Sequence, residues 1–331
     1  MTFLNNNEID TFNKQGYLIV EDVLDPEAVL DPLINEYKMV LDFLANDLYD
    51  KGLISSKYKD DNFSERLTKI CEESGKIHAQ YFDFSLPQNG IKIDTPMWHG
   101  PAVFNVLSSP SILDVVEDII GPEIYSNPIQ HVRLKPPENR TPVHAGTKTV
   151  QLGATPWHQD NGVANADADE TNMLTVWIPI WDATERDGCL HVVPESHIEG
   201  LKTHCPQSIL KDARGGFGLH IPDKLFRVND AIPIPMKRGS ILLLNKMTCH
   251  GSLPNKSNRI RWSLDLRYNP IGEPTGRDTF PGFVARSKKN PSSELHDPVA
   301  WAESWIKARQ NLSIGEEQSY NRWDSSDPSC A

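Results

Sequence analysis

The chain has 331 residues, which is long enough to bury a sizeable core in one large domain or two modest ones. Its 45 acidic residues outnumber its 33 basic residues, and the net charge of -12 argues against a general nucleic-acid-binding or anionic-membrane surface. No apolar run approaches the roughly 18 residues of a membrane span, and the polar start of the chain lacks a signal-peptide pattern. We therefore expect a soluble, cytoplasmic protein that binds neither nucleic acid nor membrane. Its oligomeric state is left open.

The cysteines point to the same compartment. They are odd in number, scattered along the chain, and include no Cys-x-x-Cys pair. This pattern indicates neither a disulfide framework nor a zinc knuckle, so a reducing, intracellular setting fits best. The five are Cys71, Cys189, Cys205, Cys249 and Cys330.

Helices dominate the first part of the predicted chain. Residues 8–15 are predicted to form a short helix that leads into a β-rich run at 16–20. Residues 25–48 open with Asp-Pro-Glu, an N-cap carboxylate followed by a first-turn proline and acid, and then repeat apolar residues at helical spacing. Residues 51–95 are polar and mixed, and we expect a loop or lid there with one helix around 65–73. Another helix is predicted over 109–121, ending at a glycine.

Strands dominate from residue 124 onward. Helices followed by many strands without intervening helices favour an antiparallel barrel or jelly roll over a doubly wound parallel sheet. Residues 135–153 are predicted to form a long loop, 203–235 an irregular insertion, and 298–309 a late helix. The predicted strands are 124–134, 154–160, 171–181, 189–193, 239–245 and 259–268, the last of which alternates apolar and polar residues most clearly.

Three residues have the chemistry of a metal site. His158 and Asp160 stand two positions apart, and if 154–160 is a strand, both side chains lie on one face. A His-x-Asp pair is a weak signal alone, but His250, just after an apolar strand, supplies a third candidate ligand. Two histidines and one carboxylate on a β scaffold leave adjacent positions open on non-heme Fe(II). A structural zinc site usually has four protein ligands, and the sequence offers no fourth candidate. For the nearby histidines at 191, 197 and 204, surface or hydrogen-bonded positions are expected.

Arg261 lies on the alternating strand, on the face opposite Trp262 and the leucines. If the apolar face packs against an outer layer, Arg261 points into the barrel, where an unpaired guanidinium is costly. A small dicarboxylate would satisfy it, because arginine binds a carboxylate through two parallel hydrogen bonds. Periodicity alone leaves an equal alternative, a salt bridge on a solvent-facing sheet.

These residues together resemble the phytanoyl-CoA dioxygenase family of Fe(II)/2-oxoglutarate-dependent oxygenases. The resemblance covers residues 124–268 well, the N-terminal helices loosely and the C-terminal tail hardly at all. It rests on His158-Gln159-Asp160, Trp177 with Gly188-Cys189-Leu190, Pro194-Glu195-Ser196-His197, His250-Gly251-Ser252, Asn255-Lys256 and Arg261.

The resemblance implies a double-stranded β-helix, a jelly roll of the cupin kind, with N-terminal helices beside it. A single oxygenase domain would then span 1–331, with a helical flank (1–123), a β-helix core (124–270) and a C-terminal extension (271–331). Fe(II) would be the cofactor, with 2-oxoglutarate and O2 as cosubstrates, and succinate and CO2 would be released. By resemblance, the metal ligands are His158, Asp160 and His250, and the residues at 2-oxoglutarate are Arg261, Ser252, Trp177 and Gln130.

Three alternatives stay open at this point. A halogenase of the same fold would have a halide in place of the carboxylate ligand, and Asp160 speaks against it. A divalent-metal hydrolase has no need for Arg261. A binding module without activity is disfavoured because every chemical position is present. The substrate is a small molecule, either an acyl-CoA, a natural product or another metabolite, and hydroxylation, desaturation and cyclisation all remain open. Basic residues in the 135–153 loop could meet an anionic group, but a solvated loop is expected there.

Overall fold

The structure, a computed structural model, describes residues 3–206, 219–315 and 320–330. Each helix that the sequence predicts is present, together with two short helices that it did not predict. The long second helix begins with one π-helical turn at Pro26–Leu30, capped by the Asp25 carboxylate. The 51–95 segment contains the helix expected around 65–73 and a second, four-residue helix after it. The α-helices are α1 (Asn6–Gln15), α2 (Asp31–Asp50), α3 (Phe63–Ser74), α4 (Ala79–Phe82), α5 (Pro101–Leu107), α6 (Pro110–Ile120) and α7 (Pro298–Ile314).

Twelve strands are seen among the described residues. They are mostly short, as in other antiparallel folds with many turns. The strands are β1 (Tyr17–Val20), β2 (Glu123–Ser126), β3 (His131–Lys135), β4 (Leu174–Pro179), β5 (Leu190–Val192), β6 (Cys205–Pro206), β7 (Leu219–His220), β8 (Ile232–Ile234), β9 (Ile241–Asn245), β10 (His250–Ser252), β11 (Arg261–Pro270) and β12 (Phe283–Ser287).

The strands form an antiparallel jelly roll, as predicted. The larger sheet has seven strands in the order β1-β9-β4-β11-β2-β12, and β3 pairs with β11 as well. A smaller sheet has the order β10-β5-β8, and β6 and β7 form a separate pair. Tyr37 of α2 and Val176 and Leu264 of the larger sheet are fully buried in one hydrophobic cluster. The helices therefore cover one face of the larger sheet, and the residues that line the candidate site lie on its other face.

Strand β11 shows how the two faces are divided. Trp262, Leu264 and Leu266 belong to the core under the helices, while Arg261 and Ser263 are buried on the opposite face. This two-residue alternation follows from the pleat of the strand. Of the two positions that the sequence left open for Arg261, the fold therefore shows the inward one.

Two predicted strands are wrong in detail. The 124–134 run is split into β2 and β3, and the break falls at Asn127-Pro128, where proline cannot donate a hydrogen bond to a neighbouring strand. The 154–160 segment is not a strand. His158 alone makes a β-bridge to His250, and Asp160 begins a 3-10 turn, Asp160–Val163. Pro156 interrupts the ladder for the same reason.

The cysteine prediction is also wrong, because a disulfide joins Cys205 to Cys330. The two lie 125 positions apart in sequence and meet because the C-terminal tail folds back along the turn that follows Asp160. The spacing of the cysteines in the sequence does not predict this disulfide. Part of the predicted 203–235 insertion, residues 207–218, lies outside the described residues.

Within residues 3–206, 219–315 and 320–330, no helix combines the length and apolar character that crossing a bilayer requires.

Candidate metal centre

His158, Asp160 and His250 come together at one point between the two sheets. Their ligand atoms all lie within 4.8 Å of one another. The His158 Nε2 atom is 4.0 Å from Asp160 Oδ1, and the His250 Nε2 atom is 3.9 Å from Asp160 Oδ2. The β-bridge between the two histidines fixes their backbones with a pair of 2.9 Å hydrogen bonds. The sequence prediction of a shared site therefore agrees with the geometry, although the path of the chain differs.

Both imidazoles are oriented for metal binding. The Nδ1 atom of His158 lies 2.9 Å from the Pro156 carbonyl oxygen, and the Nδ1 atom of His250 lies 2.9 Å from the Thr248 carbonyl oxygen. Because a carbonyl only accepts, Nδ1 carries the proton and Nε2 keeps its lone pair. Burial, and then the neighbouring His250, hold the pKa of His158 well below its usual value, so this ligand is neutral near pH 7.

Asp160 is held at both oxygens. The Thr175 hydroxyl donates to Oδ2 at 2.6 Å, and the Arg267 guanidinium makes a short contact with Oδ1. Arg267 is itself anchored by donating to the Ile129 carbonyl at 2.6 Å. Burial alone would raise the pKa of Asp160, but the Arg267 guanidinium, together with the Thr175 hydroxyl, outweighs it and keeps the pKa below its ordinary range. The ligand is therefore an anion with a fixed orientation.

This donor set fits Fe(II). Two imidazoles and one carboxylate on one face leave adjacent coordination positions open, whereas a structural zinc site is closed by a fourth ligand. Among the described residues no fourth histidine, cysteine or carboxylate joins the group.

The other nearby histidines have structural contacts. The His191 ring stacks on Trp157 with 3.7 Å between ring centroids. The His204 Nε2 atom accepts from the Gln159 backbone N–H at 2.9 Å, and burial lowers the pKa of His204 to about 4. His197 contacts the Asn13 carbonyl oxygen at 3.0 Å.

A cavity of about 110 Å³ adjoins the three ligands, and Trp177 and Arg261 line it. The Arg261 Cζ atom lies 5.7 Å from the centroid of the Trp177 ring, and the Nε atom of Arg261 is buried without a hydrogen-bond partner. Burial lowers the pKa of Arg261 to about 10, which still leaves it charged. Ser252 is buried nearby, and its Oγ atom accepts from the Thr155 backbone N–H at 2.8 Å. Arg261 and Trp177 thus line the same cavity as the three candidate ligands.

Gln130, unlike Arg261 and Trp177, does not line the cavity beside the three ligands. It is buried, donates to the Ser126 hydroxyl at 3.3 Å and lacks a partner at Oε1. Ile129 and His131 line the cavity, so Gln130 between them lies on the other side of the chain. Its position gives no support to the predicted contact with 2-oxoglutarate.

Sequence reasoning missed Thr175, Arg267 and Lys135. Thr175 and Arg267 are directly opposite each other on β4 and β11, so that both reach Asp160. The alternation that identified Arg261 extends to Arg267 and could have indicated it. Lys135 was expected in a solvated loop, but it ends β3 and is only 4% exposed. The pattern around it gave no sign of this burial.

A jelly roll with two histidines and one carboxylate around a single metal position is the arrangement of the non-heme iron oxygenases. The sequence profile of the family described as phytanoyl-CoA dioxygenase (PhyH) matches residues 12–263. The chain therefore belongs to the phytanoyl-CoA dioxygenase family, and it is an Fe(II)- and 2-oxoglutarate-dependent dioxygenase that acts on a small molecule.

Similar proteins agree with this assignment. The 1-deoxypentalenic acid 11-beta-hydroxylase of Streptomyces arenae is 28% identical over 277 residues, which cover 81% of this chain and 89% of the relative. The phytanoyl-CoA dioxygenase of Arabidopsis thaliana is 23% identical over 80% of this chain and 88% of its own length. The solved apo structure of the non-heme monooxygenase ThoJ superposes with a TM-score of 0.53 at 15% identity, covering 91% of this chain and 95% of that one. That likeness supports the fold.

Proposed function

We propose that the enzyme hydroxylates a C–H bond of a small organic molecule, with His158, Asp160 and His250 binding Fe(II) and Arg261 binding the distal carboxylate of 2-oxoglutarate. One observation carries the proposal. The three ligands share a cavity with a buried arginine that has no ion pair to a carboxylate among the described residues. A divalent-metal hydrolase gives no reason for that arginine, whereas a dicarboxylate cosubstrate does.

The protein's contribution is orientation and shielding. Bound iron, with 2-oxoglutarate and O2, would supply the oxidising chemistry. The two carbonyl contacts keep the histidine lone pairs facing the metal position, and Thr175 and Arg267 hold Asp160. Trp177, which is 2% exposed, forms an apolar wall that excludes water from the oxidising centre.

A second, larger cavity of about 750 Å³ supports a substrate with an apolar body. It shares His158 and Thr155 with the smaller cavity, and Val150, Leu152 and Leu219 are among its lining residues. The similar hydroxylase from Streptomyces arenae is named for a carboxylic acid substrate. We therefore propose an apolar carboxylic acid as the substrate class to test before an acyl-CoA. Hydroxylation is preferred to halogenation because Asp160 occupies the third ligand position.

Two further predictions from the sequence belong to this proposal. One is a single domain over 1–331, with the helical, β-helix and C-terminal parts bounded at 123/124 and 270/271. The other is a cytoplasmic location. The Cys205–Cys330 disulfide means that the cysteines no longer favour a reducing compartment.

The test combines metal analysis with turnover. Purified protein reconstituted under anaerobic conditions should bind one Fe(II) per chain. With ascorbate, 2-oxoglutarate and O2, a panel of apolar acids and acyl-CoAs is screened for succinate above the uncoupled background and for a product that has gained one oxygen atom. Tightly bound zinc that iron cannot replace, or turnover that does not require 2-oxoglutarate, would overturn the proposal.

Asp160→Ala should abolish succinate formation, because it removes the anionic ligand that balances part of the iron charge. The assay compares the variant with wild type at saturating Fe(II), with and without chloride. Little chlorinated product is expected. Near-wild-type turnover by Asp160→Ala in halide-free buffer would show that Asp160 is not a ligand.

A further inference from the structure

Two buried cations face each other across the sheet. Lys135 at the end of β3 is directly opposite Arg261 at the start of β11, and each is only 4% exposed. Directly opposite residues of an antiparallel pair lie on the same face, with Cβ atoms about 4.5–5.5 Å apart. Like charges at such positions are destabilising. Two buried cations in this arrangement therefore need a negatively charged group close to them.

The fold supplies too little negative charge to compensate them. Among the described residues, neither Lys135 nor Arg261 forms an ion pair within 4.0 Å. Their polar contacts are with hydroxyls, since Lys135 Nζ donates to Ser252 Oγ at 2.9 Å and to Thr155, and Arg261 Nη1 donates to Ser263 Oγ at 2.7 Å.

The acid that acts on both cations is Asp265 of β11. Its Oδ2 atom accepts from Arg133 Nε at 3.1 Å, and its buried Oδ1 atom has no hydrogen-bond partner. One carboxylate therefore serves three cations, counting Arg133, Lys135 and Arg261. The shortage of negative charge is reflected in the pKa of Lys135, which burial, and then Arg261 and Arg133, hold well below its usual value. A bound anion would reverse that shift.

We infer that Lys135 is a second cationic anchor for the distal carboxylate of the oxo-acid cosubstrate, acting with Arg261. The inference rests on the proposed function. One carboxylate between the two side chains would neutralise their repulsion and give the unpartnered Nε of Arg261 an acceptor. Lys135 is thus assigned a role in selecting a dianionic oxo acid over a monoanionic one.

Lys135 also positions Ser252. The Oγ atom of Ser252 accepts from both Lys135 Nζ and the Thr155 backbone N–H. A hydroxyl has one proton and two acceptor sites, so these two bonds leave the Ser252 proton free to donate. The predicted contact between Ser252 and the cosubstrate carboxylate then has the correct polarity. Lys135 supports that contact in addition to contributing its own charge.

Because Lys135 lines the larger cavity, while Arg261 lines the smaller one, the rival assignment is a contact with the primary substrate. The test therefore leaves out the primary substrate.

Lys135→Met, which keeps the length of the side chain and removes the charge, is compared with wild type in anaerobic Fe(II) protein. The probes are 2-oxoglutarate and 2-oxopentanoate, which has a methyl group in place of the distal carboxylate. Binding is followed by the charge-transfer absorption of the metal complex. Lys256→Met, an exposed site, is the matched control.

Lys135→Met should weaken 2-oxoglutarate binding about 10- to 100-fold and leave 2-oxopentanoate binding within about twofold, as expected for loss of a charge-assisted contact. Lys256→Met should change neither. Equal weakening of both oxo acids would make the role merely structural, and unchanged binding of both would assign Lys135 elsewhere; either result overturns the inference. If Lys135→Met does not fold, Lys135→Gln allows the same comparison. Wild type that binds no 2-oxoglutarate would instead refute the proposed function.

Discussion

Asp160 is the residue whose surroundings most directly set the properties of the metal centre. It is 2% exposed, and both of its oxygens are in contact with a donor, the Thr175 hydroxyl on one side and Arg267 on the other. Groups that hydrogen-bond to a metal ligand fix its orientation, and their loss typically weakens metal binding about 10- to 100-fold. Thr175 is the cleaner of the two to test, because valine has nearly the same shape and removes only the hydroxyl.

Thr175→Val is expected to weaken Fe(II) binding about tenfold, because the Asp160 carboxylate loses one of the contacts that hold it towards the histidines. The measurement is an anaerobic titration with Fe(II) in competition with a chelator. Thr68→Val is the control, since Thr68 is also buried and donates one hydrogen bond, to the Ser64 carbonyl in α3. If the two variants bind Fe(II) equally well, Thr175 has no influence on the ligand.

At the scale of elements, the C-terminal tail acts on the turn that begins at Asp160. The Trp323 indole N–H donates to the Gly162 carbonyl at 2.7 Å, and Arg322 makes two hydrogen bonds to Asp169, at 2.6 and 2.8 Å. The Cys205–Cys330 disulfide fastens the end of this tail. The metal-bearing turn is therefore covered by a segment for which the sequence indicated no role.

Cys330→Ser should lower the free energy of unfolding by about 2–4 kcal/mol, the typical contribution of a disulfide. Unfolding by denaturant is compared for wild type and variant, each with and without reductant. Reductant should bring wild type down to the level of the variant. It should leave the variant itself unchanged, because Cys205 has lost its partner and the other three cysteines, Cys71, Cys189 and Cys249, are free and buried. Identical unfolding midpoints for oxidised wild type and Cys330→Ser would count against a stabilising disulfide.

At the scale of the whole molecule, buried neutral histidines link stability to pH. His99 packs its ring 5.0 Å from that of Trp301 and 5.4 Å from that of Trp305, and its Nε2 atom lies 2.8 Å from the Phe84 carbonyl oxygen. Burial lowers the pKa of His99 from 6.5 to about 4. Between those two values the unfolded chain binds a proton that the folded protein does not bind. Stability is therefore lost as the pH falls through this window.

His99→Gln should make the stability of the protein less sensitive to acid. The expected change in slope between pH 6.5 and 4.5 is up to about 1.4 kcal/mol per pH unit, the value for one proton. Chemical denaturation at several pH values measures this slope. The exposed His296→Gln is the control and should retain the slope of wild type. Equal slopes for His99→Gln and wild type would mean that His99 titrates alike in the folded and unfolded states.

The sequence by itself determined the features that depend on local repetition. The two-residue alternation along β11 placed Arg261 on the face opposite Trp262, because a pleated strand sends successive side chains to opposite faces, but it left open which face lies inward. Capping residues and apolar spacing located α1, α2 and α6. The order of helices and strands indicated an antiparallel barrel or jelly roll, and His158, Asp160 and His250 together indicated a shared metal position.

Only the tertiary structure decided which distant groups meet. Lys135 is buried where β3 pairs with β11, and Gln130 is buried next to β3 without lining the cavity. Cys205 and Cys330 meet because the tail returns to the turn at Asp160. Contacts of this kind depend on strand pairing and chain reversal, and their free energy is shared among groups far apart in sequence. No local sequence pattern predicts such contacts. The charges and hydrogen bonds around the metal position could therefore be identified only in the folded structure.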